Sequence, residues 1–368
     1  MKLRYKILGS VGAVLVVALG SLALAMSHDS ACAPAPALPA NAQTMQAIVS
    51  RCYGPPEVLR LEAIAKPVPK ADELLVRVRA ASVNPLDWHY MRGKPYLVRL
   101  SAGMGVPDVP RLGVDFAGTV EAVGSGVTHF KVGDEVFGGR TGAFAEYVTV
   151  RESRAVVLKP ANVSFEQAAS VPIAAITALQ ALRDKGQVQP GQKVLVNGAS
   201  GGVGTFAVQI AKAFGADVTG VCSTKNLSLV QSLGADHVVD YTRDDFTKGS
   251  EHYDLIVDTV GTHSLLEYRR VLNPKGSLVM VGSASLGDWI GFLITPLDAI
   301  ILSQFVSQKF APFLAELNPK DLSILGELMQ SGKMTPYIDR RYSLKELPAA
   351  MRYVEAGHAR GKVIITIE

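Results

Sequence analysis

The run Gly198-Ala199-Ser200-Gly201-Gly202-Val203-Gly204 limits what this chain can fold into more than any other feature. The apolar stretch Val194-Leu195-Val196-Asn197 leads straight into it, and Thr205–Phe214 continues with apolar residues at helical spacing. Between a strand and a helix, glycines permit a tight turn. They also let backbone N–H groups approach a pyrophosphate at the helix N-terminus, where the dipole favours negative charge. A glycine pattern alone is weak evidence. Here a strand precedes it, a helix follows, and another strand comes about twenty residues on, the arrangement of a dinucleotide-binding unit. The other reading is a tight turn that only packs helix on strand.

The surrounding pattern agrees with that unit. From about Ser164, helical segments alternate with short apolar strands at Lys193–Asn197, Asp217–Val221, His237–Tyr241, Leu255–Thr259 and Ser277–Val281. Such alternation indicates a parallel, doubly wound sheet. Before it, from Met45 to about Pro160, strands at 74–80, 118–124 and 132–138 are punctuated by Gly and Pro, as in a compact antiparallel barrel. The chain ends in another strand, Lys362–Ile367.

The end of the second strand of the doubly wound unit bears on the cofactor. A site for NAD places an acid there for the ribose 2′-hydroxyl. Here Val218-Thr219-Gly220-Val221 runs into Cys222, Ser223, Thr224 and Lys225 with no acid. Two hydroxyls and an ammonium suit a 2′-phosphate, so NADPH is expected. Lys225 as a solvated charge is the alternative, and Cys222 reads as a small buried residue.

A net charge of +4 with no basic run in the body argues against a nucleic-acid partner. The first residues stand apart. Lys2, Arg4 and Lys6 precede an uncharged run from Ile7 to Met26, long enough as a helix to span a bilayer core. Residues 1–26 are therefore an uncleaved signal anchor or a removed signal peptide. Residues 27–44, with Pro34, Pro36 and Pro39, read as a semi-rigid linker. Cys32, Cys52 and Cys222 lie too far apart in sequence to suggest a disulfide framework or a CxxC metal clamp.

From Met45 to its end the chain resembles the zinc-independent quinone oxidoreductase, or zeta-crystallin-like, branch of the medium-chain dehydrogenase/reductase superfamily. The resemblance is carried, in order, by Ala81–Asp87, Gly113–Val120, Val132–Gly138, Ala143–Val148, Thr177–Leu182, the glycine loop, Asp258–Gly261 and Gly361–Val363. It implies an α/β fold: a GroES-like β-barrel catalytic domain at 45–165, a Rossmann NADPH-binding domain at 166–310, and a return to the catalytic domain at 311–368. Cofactor contacts are implied at Thr177, Gly198, Gly201, Gly202, Val203, Gly204, Ser223, Thr224, Lys225, Tyr241, Val260, Gly261, Val281, Gly282 and Lys362. Asn84 is placed beside nicotinamide and acceptor, with turn formation at Asn84-Pro85 as its alternative. Asp87, His89 and Tyr90 are candidate proton donors. The family's tyrosine falls at His89 here.

The zinc ligands of related enzymes fall at Asn84, Val114 and near Ile173, where a poor ligand and two side chains without lone pairs stand, so no metal is expected. The implied reaction is NADPH-dependent hydride transfer to a quinone or α,β-unsaturated carbonyl. The alternatives are an alcohol dehydrogenase or aldehyde reductase of the same superfamily, and a membrane-tethered NADPH-binding sensor with little turnover. An apolar insertion between Leu286 and Phe310 suggests a substrate-site wall or homodimer contact, with a membrane-surface role as a further option. Because NADPH is a cytosolic reductant, the body is expected on the cytoplasmic face, although the basic residues before the span predict the opposite.

Overall fold

The computed structural model describes residue 18 and residues 20–282, 287–289 and 291–368. The expected doubly wound sheet is present with six parallel strands. Their order is His237–Asp240, Asp217–Cys222, Lys193–Asn197, Tyr253–Asp258, Leu272–Met280 and Lys309–Pro312. Lys193–Asn197 is central, with the next strand in sequence on one side and Tyr253–Asp258 on the other. A ligand crevice forms at the carboxyl ends of strands where order reverses in this way. The glycine loop leaves from that end.

The barrel domain is built on a seven-stranded sheet. Its order is Ile338–Ser343, Lys362–Thr366, Glu73–Val83, Asp115–Val123, Glu135–Gly139 and Val156–Leu158, with Tyr147–Arg151 pairing on Glu73–Val83. The return of the chain's end is thus structural: Lys362–Thr366 pairs antiparallel with Glu73–Val83, Val363 opposite Val83. The two domains also share a core. Ala80, Ala117 and Phe137 of the barrel and Val194 and Val196 of the parallel sheet belong to one buried cluster, bridged by the helix Pro172–Gln180.

Two expectations are corrected. Cys32 and Cys52 form a disulfide, Cα–Cα 4.4 Å. A separation of twenty residues does not prevent pairing once the chain reverses. The segment expected as a linker is also pinned where it begins. The fully buried Arg99 side chain donates to the carbonyls of Met26 (2.9 Å) and His28 (3.0 Å) and to Asp29 Oδ1 (2.6 Å), while Ser30 N–H donates to Gly105 O and Ala33 N–H to Arg51 O. A buried guanidinium demands acceptors on several sides, and this stretch of backbone supplies them.

Residues 20–27 are helical. The spanning helix expected over residues 1–26 falls mostly outside the described residues. Among those described, no helix is long and apolar enough to cross a membrane.

Candidate active site

Gly198 turns out of the central strand with φ +83°, and a Cβ there would lie 2.3 Å from Thr259 Oγ1. Gly204 is held by packing: a Cβ on it would lie 2.1 Å from Gly198 O. A Cβ added to Gly201 would lie 3.3 Å from Gly198 O, and one on Gly202 would lie 3.5 Å from Gly361 O and the Lys362 side chain, so the loop packs closely on itself and on the last strand. The helix Gly202–Ala213 starts there with no side-chain cap. Uncapped N–H groups at a helix N-terminus suit a pyrophosphate. Asp258 Oδ1 accepts from Val260 N–H and Gly261 N–H (both 3.1 Å), and Asp258 O accepts from Val281 N–H and Gly282 N–H. These four residues therefore sit together beside the glycine loop. Thr177 lies on the bridging helix, its hydroxyl donating to Ile173 O at 2.7 Å.

At the adenosine end, Ser223, Thr224 and Lys225 follow the second strand, and Lys225 is exposed with no ion-pair partner among the described residues. Tyr241 is nearby in the fold and exposed, its N–H donating to Cys222 O. An acid does reach this corner, brought from the neighbouring strand: Asp240 accepts from Thr224 Oγ1 and Thr242 Oγ1. Those hydrogen bonds hold its carboxyl below the usual range. Asn226 is buried and spans the corner, its Nδ2 donating to Ser200 Oγ (3.0 Å) and Ser223 Oγ (3.2 Å). Its Oδ1 is buried and has no partner. A buried acceptor left open between glycine loop and strand end fits a ribose hydroxyl donor. The residues present thus fit a dinucleotide.

Where the barrel meets the loop lies a buried polar cluster. Asp115 accepts from Ser82 Oγ (2.8 Å) and Asn84 Nδ2 (2.9 Å) through Oδ2, and from Ile173 N–H (3.0 Å) through Oδ1. Lys362 Nζ donates to Asn84 Oδ1 at 2.6 Å and lies 3.7 Å from Asp115 Oδ2. The neighbouring Gly361 N–H donates to Ser200 O of the glycine loop at 2.9 Å. The last strand therefore touches both halves of the cleft within two residues. Burial pushes the Asp115 carboxyl up and pulls the Lys362 ammonium down, each opposed by the other's charge.

The expected proton donors do not converge. Asp87 is fully buried at the start of the helix Pro85–Arg92, its Oδ2 accepting Asn84 N–H at 2.8 Å. Burial pushes its carboxyl up to about 7. His89 stacks on Trp88 and bonds Lys94 O through Nδ1 at 2.8 Å, and burial lowers its pKa. Tyr90 is exposed on the same helix. Asp115, Ser82, Asn226 and Asp240 do not stand out in the sequence as site residues. Asp115 lies inside the Gly113–Val120 segment that carries the family resemblance, so a signal is there, but only as a landmark.

This geometry, a nucleotide crevice facing a buried Asn–Lys–Asp cluster from a second domain, has close parallels among known proteins. Residues 70–161 match the alcohol dehydrogenase GroES-like domain family, and residues 233–365 match a family described as zinc-binding dehydrogenase. The chain is 35% identical over 328 residues to 2-methylene-furan-3-one reductase of Solanum lycopersicum, spanning 85% of this chain and 76% of that protein. It is 33% identical over 336 residues to an NADPH-dependent alkenal/one oxidoreductase of Arabidopsis thaliana chloroplasts, spanning 87% and 79%. Among solved structures, the quinone oxidoreductase of Coxiella burnetii superposes with TM-score 0.77 at 31% identity, covering 89% of this chain and 100% of that one. The chain belongs to the medium-chain dehydrogenase/reductase superfamily.

The zinc named in that family description does not fit here. Asn84 Oδ1 is occupied by an ammonium, and Val114 and Ile173 carry no donor. Among the described residues, no group of three His, Cys, Asp or Glu side chains is placed to hold a metal ion.

Proposed function

We propose that this chain is an NADPH-dependent reductase of quinones or α,β-unsaturated carbonyls, working without zinc. The carrying observation is the Lys362–Asn84–Asp115 cluster joined to a glycine loop whose helix N-terminus has no side-chain cap. The relatives named for such activities support the same reading. The nicotinamide supplies the hydride when bound. The chain's part is to hold and orient: the glycine loop takes the pyrophosphate, Ser223 and Lys225 the 2′-phosphate, and Asn226 Oδ1 a ribose hydroxyl, while the Thr224 hydroxyl is committed to Asp240. Lys362 and Asp115 engage both ends of the Asn84 amide and fix its orientation where the barrel meets the glycine loop.

The test is NADPH consumption with benzoquinone, a naphthoquinone and an enone, with NADH and a chelator as controls. NADPH-driven turnover indifferent to chelation is expected. Loss on chelation overturns the metal-free reading, and tight NADPH binding without turnover supports a sensor instead. Lys225→Asp is expected to raise the KM for NADPH far more than that for NADH. Equal effects remove Lys225 from the phosphate site.

The membrane tether and the body's location belong to this reading as well. We place residues 1–26 as the anchor and the body on the oxidising side. A disulfide persists in oxidising compartments, and the basic residues before the apolar run favour the same orientation. Cofactor supply favours the cytoplasmic placement instead, and the thiol count of the protein as isolated decides between the two.

A further inference from the structure

Three segments distant in sequence expose large apolar side chains, and one buried arginine joins them. The first is the end of the apolar N-terminal run, where Leu22 and Leu24 are exposed (46% and 73%) and the Met26 carbonyl is held by Arg99. The second follows Arg99 itself: Leu100, Met104 and Val109 are exposed on a stretch tied to Ser30 through Gly105. The third is the helix Gly291–Leu302 and the turn after it, where Leu297, Ile300, Ile301 and Phe305 are exposed. Tyr96 connects it to the others. Its N–H donates to Asp288 O at 2.7 Å, its ring packs on Trp289 at 4.7 Å, and the Arg99 guanidinium lies over it at 4.9 Å.

Each of these segments exposes large apolar side chains, and an exposed tryptophan where two of them meet is typical of a lipid interface. The chain itself brings the cover. The uncharged run Ile7–Met26 ends on this hub, so any bilayer that holds the run lies beside these side chains. We propose that the Gly291–Leu302 helix and the Leu100–Val109 stretch rest on the bilayer that holds the N-terminal run, and that the acceptor is drawn from that bilayer as a lipid-soluble quinone or enone. The second half rests on the reductase reading. It gains from position: the helix Pro85–Arg92, about 12 Å long, runs from Asn84 to the Arg99 hub.

The experiment uses the full chain in phosphatidylcholine–phosphatidylglycerol vesicles containing brominated lipid. Trp88 and Trp289 are the two tryptophans, so quenching lost in Trp289→Phe reports that site. Quenching of Trp289 is expected, and its loss in Leu297→Lys/Ile301→Lys while the chain still floats with vesicles. Both replaced side chains are exposed, so the fold should tolerate them. In the same vesicles, that variant should lose turnover of a long-chain prenyl quinone roughly tenfold, the worth of about one buried aliphatic side chain, and keep turnover of a short-chain quinone. Unquenched Trp289 in floating protein overturns the membrane contact. If the variant also turns a dimer into a monomer, the face serves a second copy instead. Quenching with equal loss on both quinones overturns the acceptor route. No turnover of either quinone by the parent chain fails the reductase reading, and the quenching result still decides the surface.

Discussion

Asp87 shows how a single side chain can set a pH dependence without touching the cleft. Its carboxyl is buried, accepts the Asn84 N–H, and faces Asp115 across the cluster. Desolvation raises it from the usual 3.8 to about 7. The unfolded chain therefore loses this proton first, and the folded state binds more protons throughout that window. Stability must fall as pH rises from about 4 to about 7. Asp87→Asn keeps an acceptor for the Asn84 N–H and cannot ionise. Its unfolding free energy from urea titration, compared with that of the parent, should gain steadily with pH over that range, by on the order of 2–4 kcal/mol at the upper end. Parallel curves for the two proteins would show that the carboxyl titrates normally.

The decisive contact among the elements is the one between the glycine loop and the helix that follows it. Gly204 sits in the first turn of Gly202–Ala213, against Gly198 O. Gly204→Ala should push helix from strand, costing about 1–3 kcal/mol in thermal or urea unfolding and weakening NADPH binding with it. Unchanged cofactor affinity would mean the helix N-terminus does not contact the phosphates. This unit is the most legible part of the chain, because strand, glycines and helix are adjacent in sequence and each has its own periodicity. The boundaries are less so. The strand expected at 132–138 begins only at Glu135, because Gly133 turns with φ +93° just before it. Asp240 is invisible in the sequence for another reason: it belongs to the third strand, and only parallel pairing of His237–Asp240 with Asp217–Cys222 brings it beside Thr224.

At the scale of the whole molecule, the sequence motifs reveal a GroES-like and a Rossmann domain, and long-range pairing stays hidden. No local pattern announces that Arg99 needs the carbonyls of Met26 and His28, or that Cys32 meets Cys52. The disulfide closes a loop of about twenty residues, worth roughly 3 kcal/mol by the chain-entropy account. Protein taken from the cells that make it, denatured without reductant, should carry one alkylatable thiol, Cys222, and three after reduction. Three without reductant would place the body in a reducing compartment.

The last strand has a consequence for how the protein is made. Lys362 meets Asn84 across 278 residues of chain, and the strand that carries it fills the gap beside Glu73–Val83. Until that strand pairs, the barrel has an unpaired edge and Asn84 lacks the Lys362 ammonium, whatever the state of the parallel sheet between them. A chain cut before Gly361 is therefore expected to expose that edge and to bind NADPH more weakly than the full chain, as measured by cofactor titration of the two proteins.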